Sequence, residues 1–207
     1  MSMKKFKFFL NLDKEEKWLN DMLQQGWALS RKNFRYEFDK FNDKNRSIKI
    51  DYRTFKSKKD WEDYILLFQD SGWRHIIGGK SSGKQYFSKV DNNANADIFS
   101  DQISRADRYK RMANVWFSLA TSYFVIAFAL YQTNTIDIES VINPRSFYLT
   151  PGLWEMTGSS FWKAFLFETP FALGRGFAWL IFPILVILYI VFAIKASVEY
   201  KNAISKD

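Results

Sequence analysis

The chain has no cysteine, one histidine and four prolines in 207 residues. Without a thiol there is no disulfide framework, thiolate metal site or cysteine nucleophile, which agrees with a reducing compartment. Any histidine-based metal site or Ser-His-Asp triad would have to use His75 alone, and that residue stands beside a Gly-Trp pair in a strand pattern, where a hydrogen-bonded structural histidine is expected. Carboxylates are numerous but scattered over helix and turn patterns, with no isolated apolar pair suited to acid-base chemistry. Catalysis, cofactors and metals are therefore not expected. Gly78-Gly-Lys-Ser-Ser-Gly83-Lys84 has the spacing of a phosphate-binding loop, but Gln85 replaces the Ser or Thr, and Tyr86-Phe87 continues as a strand where a helix should begin. The segment reads as a flexible hairpin turn.

Ionisable residues are missing from two long stretches, Met112 to Tyr131 and Gly176 to Ile194. At about 1.5 Å per residue each can cross a hydrocarbon core of about 30 Å. Over a hundred residues precede the first, which argues against a signal peptide. The chain reads as an integral membrane protein with transmembrane helices over 112–131 and 176–194. The absence of intramembrane charge argues against a transporter built from this chain alone.

Charge divides the chain at the same place. Residues 1–112 hold 24 of the 30 Lys and Arg and 16 of the 22 Asp and Glu, whereas the remainder is neutral. Arg105, Arg108, Lys110 and Arg111 precede the first apolar run, and Lys195, Lys201 and Lys206 follow the second. The intervening loop, 132–175, carries Arg145, Lys163 and Arg175 against Asp137, Glu139, Glu155 and Glu168. By the positive-inside rule both termini are cytoplasmic, in a multi-pass protein of the plasma membrane.

The polar half contains an internal repeat. Glu16-Lys-Trp-Leu-Asn-Asp-Met-Leu-Gln-Gln-Gly-Trp27 aligns without gaps on Glu62-Asp-Tyr-Ile-Leu-Leu-Phe-Gln-Asp-Ser-Gly-Trp73. Trp18, Leu19 and Met22, and again Tyr64, Ile65 and Phe68, share one helical face. Gly26 and Gly72 are placed to end the helices at positive φ. Alternation in Lys5 to Phe8, Phe34 to Asp39 and Ile48 to Arg53 predicts half-buried strands. The fold class is α+β: two strand-helix-strand-strand copies forming one mostly antiparallel, ferredoxin-like sheet with two helices on one face. Trp27 and Trp73 are expected to seal that sheet against its helices.

Residues 1–90 thus form a soluble α+β repeat domain, and 91–111 a polar linker, Asp91 to Asp97, with a basic juxtamembrane helix that Ser100 could cap. Arg105, Arg108, Lys110 and Arg111 are the expected membrane-surface contacts, each attracted to anionic lipid. The segment 132–175 reads as an extracytoplasmic loop, and 195–207 as a cytoplasmic tail. The loop is rich in aromatic residues, among them Trp154, Phe161, Trp162 and Phe165, and is expected to form short interfacial helices. One starts at Thr150-Pro151; another starts at Ser159-Ser160 and ends before Pro170. The net charge of +8 would allow nucleic-acid binding, but acidic residues alternate with the basic ones and no recognition pattern appears, so no direct nucleic-acid contact is expected.

Glu16-Lys-Trp-Leu-Asn with Gly26-Trp27, Ile50-Asp-Tyr52, Asp70-Ser-Gly-Trp73, Gln85-Tyr-Phe87, and Asp97-Ile-Phe-Ser-Asp through Arg108-Tyr-Lys-Arg111 resemble the bacterial domain-of-unknown-function family 2812. The resemblance covers roughly residues 5–111, departs from the family at the Ser81-Ser82-Gly83-Lys84 turn, and carries no catalytic residues. It implies a Gram-positive membrane-anchored protein encoded beside a PadR-type regulator. The resulting expectation is a non-enzymatic membrane sensor or regulator that couples membrane or lipophilic-compound state to such a partner. The alternative is an accessory or immunity subunit of a membrane transport assembly, packed on a transporter or on copies of itself through Ser118, Ala120, Thr121 and Ser122.

Overall fold

The computed structural model describes residues 2–43, 46–91, 93–133 and 143–205. Asn92 of the linker, Asp137 and Glu139 of the expected outer loop, and Lys206 of the tail lie outside them. The chain forms two units, Met1–Val115 with Phe192–Asp207, and Trp116–Val191.

The first unit is mixed α+β. Helix α1 (Leu12–Gln24) starts at Asn11, whose side chain accepts the Lys14 N–H at 2.8 Å. Helix α2 (Lys58–Asp70) starts at Ser57, whose hydroxyl accepts the Asp60 N–H at 3.0 Å. Each side chain satisfies one of the orphan donors of a first turn. Both helices stop before a glycine in the left-handed region, Gly26 at φ 84° and Gly72 at φ 82°. The apolar face of α1 buries Leu12, Leu19, Met22 and Leu23.

Strands β1 (Ser2–Lys5), β2 (Trp27–Lys32) and β3 (Tyr36–Lys40) form an antiparallel sheet in the order β1-β3-β2. Strands β4 (Ile48–Tyr52), β5 (Trp73–Ile77) and β6 (Lys84–Lys89) form another in the order β4-β6-β5. The expected single sheet is therefore corrected to two three-stranded sheets. The free edge of β4 shows why one of the possible junctions is closed. Asn20 accepts the Ile48 N–H at 2.8 Å and donates to the Ile48 carbonyl at 2.9 Å, while Glu16 accepts the Ile50 N–H at 3.0 Å. Side chains from α1 thus occupy the groups that another strand would pair with.

Two expected strand assignments also change: the strand expected over Lys5 to Phe8 is displaced to Ser2–Lys5, and the one expected from Phe34 begins at Tyr36. Phe6 and Phe8 lie beyond β1, 73% and 67% exposed, and Phe34 lies in the β2–β3 turn at 90% exposure. The alternation there continued past the last ladder partners, Lys5 and Lys32 opposite Tyr36.

Trp73 is buried with Tyr64 and Phe87, and Phe68, Ala94 and Ile98 pack against them. The linker is therefore docked rather than free. A Cβ on Gly72 would lie 2.7 Å from the Ala94 Cβ and 2.9 Å from the Asp91 Cβ. Trp27 is only half-buried, whereas Trp18 packs edge-on against Tyr36 and Phe38. The Gly78–Gly83 segment joins β5 to β6 as a turn. Gln85 reaches back across it, its Nε2 donating to the Gly79 carbonyl at 2.7 Å and the Arg53 carbonyl at 3.3 Å. That orientation leaves Gln85 Oε1 facing His75 Nε2 at 2.9 Å, so the nitrogen donates. Burial lowers the His75 pKa, and its hydrogen bond to Gln85 only partly opposes this.

Helix α3 (Gln102–Gln132) begins after Asp101, whose carboxylate accepts the Ser104 N–H at 2.7 Å. The cap is Asp101, not Ser100, because a carboxylate is the better acceptor and Ser100 is used as a donor to it. Gln102 donates to the Ala203 carbonyl at 2.6 Å, and Lys110 lies over the Tyr200 ring, joining the end of the chain to this unit.

The second unit contains the rest of α3, two 3₁₀ turns (Pro144–Phe147 and Leu153–Glu155), helix α4 (Gly158–Phe177), a 3₁₀ turn (Ala178–Leu180) and the first part of helix α5 (Ile181–Ile204). Two helical stretches, Gln102–Gln132 and Gly158–Ile204, are long and apolar enough to cross a membrane. Trp116 stacks on Tyr189 and Tyr123 meets Phe182, so these parts of α3 and α5 run antiparallel. The expected helix ending before Pro170 is corrected to one that passes through it. The proline removes a single backbone hydrogen bond, and an ion pair from Glu168 to Arg175 spans the gap. Thr150 caps no helix; its hydroxyl donates to Glu168 at 2.8 Å.

Gly72→Ala should destabilise the protein by about 1–3 kcal/mol, because the side chain meets both positive φ and the docked linker; chemical denaturation in detergent measures this. For His75 the folded pKa is below the unfolded value of about 6.5, so its contribution is present above that pH and falls as pH drops below it. His75→Gln should flatten the stability profile below about pH 6.5; an unchanged slope would assign the acid sensitivity elsewhere.

Candidate functional site

The first turns of α1 place three carboxylates, Asp13, Glu15 and Glu16, where the positive end of the helix dipole favours them. The apolar residues Leu12 and Leu19 turn this side of the helix inward, so Glu15 and Glu16 are buried with them. Each carboxylate then collects donors from a different part of the chain.

Glu15 Oε1 accepts from the Tyr36 hydroxyl at 2.7 Å and the Tyr86 hydroxyl at 2.6 Å, and Oε2 accepts from Lys84 Nζ at 2.5 Å. Tyr36 belongs to β3 and Tyr86 to β6, the middle strands of the two sheets. One carboxylate therefore ties the centres of both sheets to α1. Burial, reinforced by the Glu15 charge, pushes the hydroxyls of Tyr36 and Tyr86 far above the ordinary tyrosine pKa, so both remain donors. Lys32, 3.9 Å from Glu15, has its pKa lowered by burial, with the Glu15 charge opposing that shift. With both carboxylate oxygens occupied, this cluster holds the two sheets together and offers no free base.

Glu16 and Asp13 bind the start of α3. Arg108 has no exposed surface; its Nη1 donates to Glu16 and, at 2.6 Å, to the Ile50 carbonyl, while its Nη2 donates to Asp13 at 2.7 Å. Its guanidinium also lies 5.4 Å from the Phe99 ring. Arg105 joins Asp13 at 2.7 Å and Asp97 at 3.4 Å. The Tyr109 hydroxyl donates to Asp13 Oδ2 at 2.8 Å. Burial alone would raise the Asp13 pKa, but Arg108, Arg105 and Tyr109 outweigh it and hold the carboxyl below its ordinary range. Arg105 and Asp13 also line a cleft of about 390 Å³, so this part of the clamp is open to solvent and salt, whereas Arg108 is not.

Arg111 extends the docking to the second sheet. It donates to the Tyr52 carbonyl at 2.7 Å and to Asp51 at 2.6 Å, and Asp51 Oδ2 accepts from the Tyr64 hydroxyl of α2 at 2.7 Å. Helix α3 thus grips α1 directly and α2 through Asp51.

The four basic residues expected at lipid headgroups are consequently placed differently. Arg108 is buried and Arg105 and Arg111 are paired, because carboxylates of the same unit lie within reach of all three. Lys110 alone is exposed, beside Tyr200. The four aromatic residues expected in the outer loop do come together. In the second unit Phe161 lies 6.2 Å from Trp154, 5.3 Å from Trp162 and 5.4 Å from Phe165. Tyr148 stacks on Phe165 and Arg145 covers Trp154, two members that the sequence did not single out. The missed carboxylates carried one readable signal, acidic residues directly flanking buried-face leucines. The α3 partners of Asp13 and Glu16 lie more than ninety residues away, and nothing in the sequence marked that pairing. Among the described residues no group of three or more His, Asp or Glu side chains could hold a metal ion.

Arg108→Gln should cost about 3–5 kcal/mol, because Glu16 is left buried without its cation. The double variant with Glu16→Gln should cost less than the two single changes added together. Strict additivity in denaturation would show that the pair is not coupled.

Residues 11–121, from the α1 cap into the apolar part of α3, match the family described as protein of unknown function, DUF2812. No curated protein and no solved structure matches the chain. The matched stretch contains every residue of the Glu15, Glu16 and Asp51 clusters, and it covers more than half of the chain. The protein is a member of the DUF2812 family.

Proposed function

We propose that this chain is a non-enzymatic, two-pass membrane sensor whose α/β unit relays the state of the membrane, or of a lipophilic compound in it, to a cytoplasmic partner such as a PadR-type regulator. The observation that carries the reading is the clamp on α3. A helix that is apolar from Met112 onward begins as an integral part of a folded polar unit, through Arg105, Arg108, Tyr109 and Arg111. A disturbance of the apolar part can reach both sheets through that helix without crossing a flexible joint.

Membrane insertion is supported by the surfaces of the two apolar stretches. Only 11% and 6% of their most apolar windows are buried, so the rings and aliphatic groups need a nonaqueous surrounding. Basic residues at both ends favour cytoplasmic termini. The aromatic group of Tyr148, Trp154, Phe161, Trp162 and Phe165 is then the outer, interfacial part and the candidate receiver of a lipophilic signal. A duplicated half-domain is supported by the irregularities that interrupt β2 between Leu29 and Arg31 and β5 between His75 and Ile77, each at the same distance after its Gly-Trp pair.

The alternative of an accessory or immunity subunit gains less. Thr121 and Ser122 spend their hydroxyls on Phe117 and Ser118 carbonyls of their own helix, so they offer little polar adhesion to a transporter or a second copy.

Crosslinking the tagged chain in its native membrane, followed by identification of the captured proteins, tests the proposal. A DNA-binding regulator should be recovered with the wild type and lost with Arg108→Glu/Arg111→Glu, while both forms stay in the membrane fraction. Capture of transport proteins alone, unaffected by the substitutions, would select the accessory subunit.

A further inference from the structure

With Arg105, Arg108 and Arg111 engaged internally, the free positive charge of the first unit lies elsewhere. Strands β1 and β2 both end opposite Tyr36, the first residue of β3: Lys5 and Lys32 are its ladder partners. The segment leaving β1 and the turn between β2 and β3 therefore sit at one end of the sheet. That end carries Phe6, Phe8 and Phe34, exposed by 73%, 67% and 90%, which are three of the most exposed large apolar side chains in the unit. Around them stand Lys7, Arg31 and Arg35, all exposed. Lys32 is half-buried and turned toward Glu15. The nearest acidic residue in the ladder, Glu37, is paired with Lys4 at 3.4 Å.

Exposed phenylalanines interleaved with exposed cations, of which Lys7 lies over the Phe9 and Trp18 rings, are costly in water and suit one environment, a bilayer interface with anionic headgroups. The position of Phe8 points the same way. Its ring centroid is 6.0 Å from that of Phe192, in the last part of the apolar run of α5 before Lys195. The patch is thus continuous with the polar end of a helix long enough to cross a membrane.

We propose that this end of the first sheet, with Phe34 at the tip of the β2–β3 turn, Phe6 and Phe8 beside it, and Lys7, Arg31 and Arg35 around them, is a binding surface for anionic phospholipid. It rests on the reading of the chain as membrane-embedded. The rings enter the interfacial layer and the cations meet lipid phosphates, so the sheet is held against the membrane at a second point besides its helices. Because Glu15 fixes Tyr36 to the centre of the unit, lipid charge sensed at the turn is passed to the same core that clamps α3.

The chain has no cysteine, so single labels can be placed cleanly. Full-length Phe34→Cys, and separately Asn42→Cys beyond the opposite end of β3, would carry an environment-sensitive fluorophore. Each would be placed in nanodiscs of phosphatidylcholine, with or without about a third of phosphatidylglycerol, containing spin-labelled lipid as quencher. Quenching at position 34 at least threefold stronger than at 42, present with phosphatidylglycerol and reduced by Arg31→Glu/Arg35→Glu, is the expected result. Equal quenching at the two positions overturns the proposal while leaving the helices in the disc. Quenching at 34 that ignores lipid charge overturns the anionic specificity. Failure of the unmodified chain to enter discs at all would overturn the membrane reading instead.

Discussion

A guanidinium removed from water needs its charge matched by carboxylates, and Arg108 sets that condition for this protein through its Nη1 and Nη2. It is fully buried between Glu16, Asp13 and the Ile50 carbonyl, with Phe99 on its face. Such a group cannot be left half-paired without a penalty of several kcal/mol. The first turn of α1, the edge of β4, the docked linker and the start of α3 therefore have to be in place together. Together with the Arg105 and Tyr109 contacts to Asp13, Arg108 joins elements from both ends of the matched family region.

Glu15 and Glu16 are neighbours in sequence and divide the work. Glu15 gathers Tyr36, Tyr86 and Lys84 and so holds the middle strands of the two sheets to one helix. Glu16 closes the β4 edge and accepts the Arg108 guanidinium. Asp51 repeats the arrangement about one turn further along α3, between Arg111 and Tyr64. The polar layer is continuous, and each carboxylate in it has donors on both oxygens or on both sides. Such networks favour one arrangement over many, since any slippage leaves a buried charge without a partner.

The same economy explains the distribution of basic residues. Cations near the apolar runs are ordinarily assigned to lipid, yet three of the four just before α3 turns apolar face carboxylates of their own unit. The exposed cations Lys7, Arg31 and Arg35 stand with Phe6, Phe8 and Phe34 at the end of the first sheet. Charge counting locates the excess in residues 1–112; only the pairing shows which members of it are free.

Much of this was legible in the residues. Periodicity gave both helices of the α/β unit, the glycines that end them and the strand cores, because these depend on local geometry and on burial of one face. Composition gave the two apolar stretches, since length and the lack of charge are properties of the chain itself. Strand limits at Phe6, Phe8 and Phe34 went wrong where the alternation outlasted the ladder. The division into two sheets was hidden because Asn20 and Glu16 close the β4 edge from another element. The helix through Pro170 was hidden because its support, Glu168 with Arg175 and Thr150, is tertiary. By itself the sequence determined which segments of the α/β unit are helical, which stretches are apolar enough to span a membrane, and the family to which the chain belongs. The tertiary structure decided that Arg108 is a buried clamp and not a surface charge, because that depends on carboxylates more than ninety residues away, and separation along the chain carries no information about distance in space.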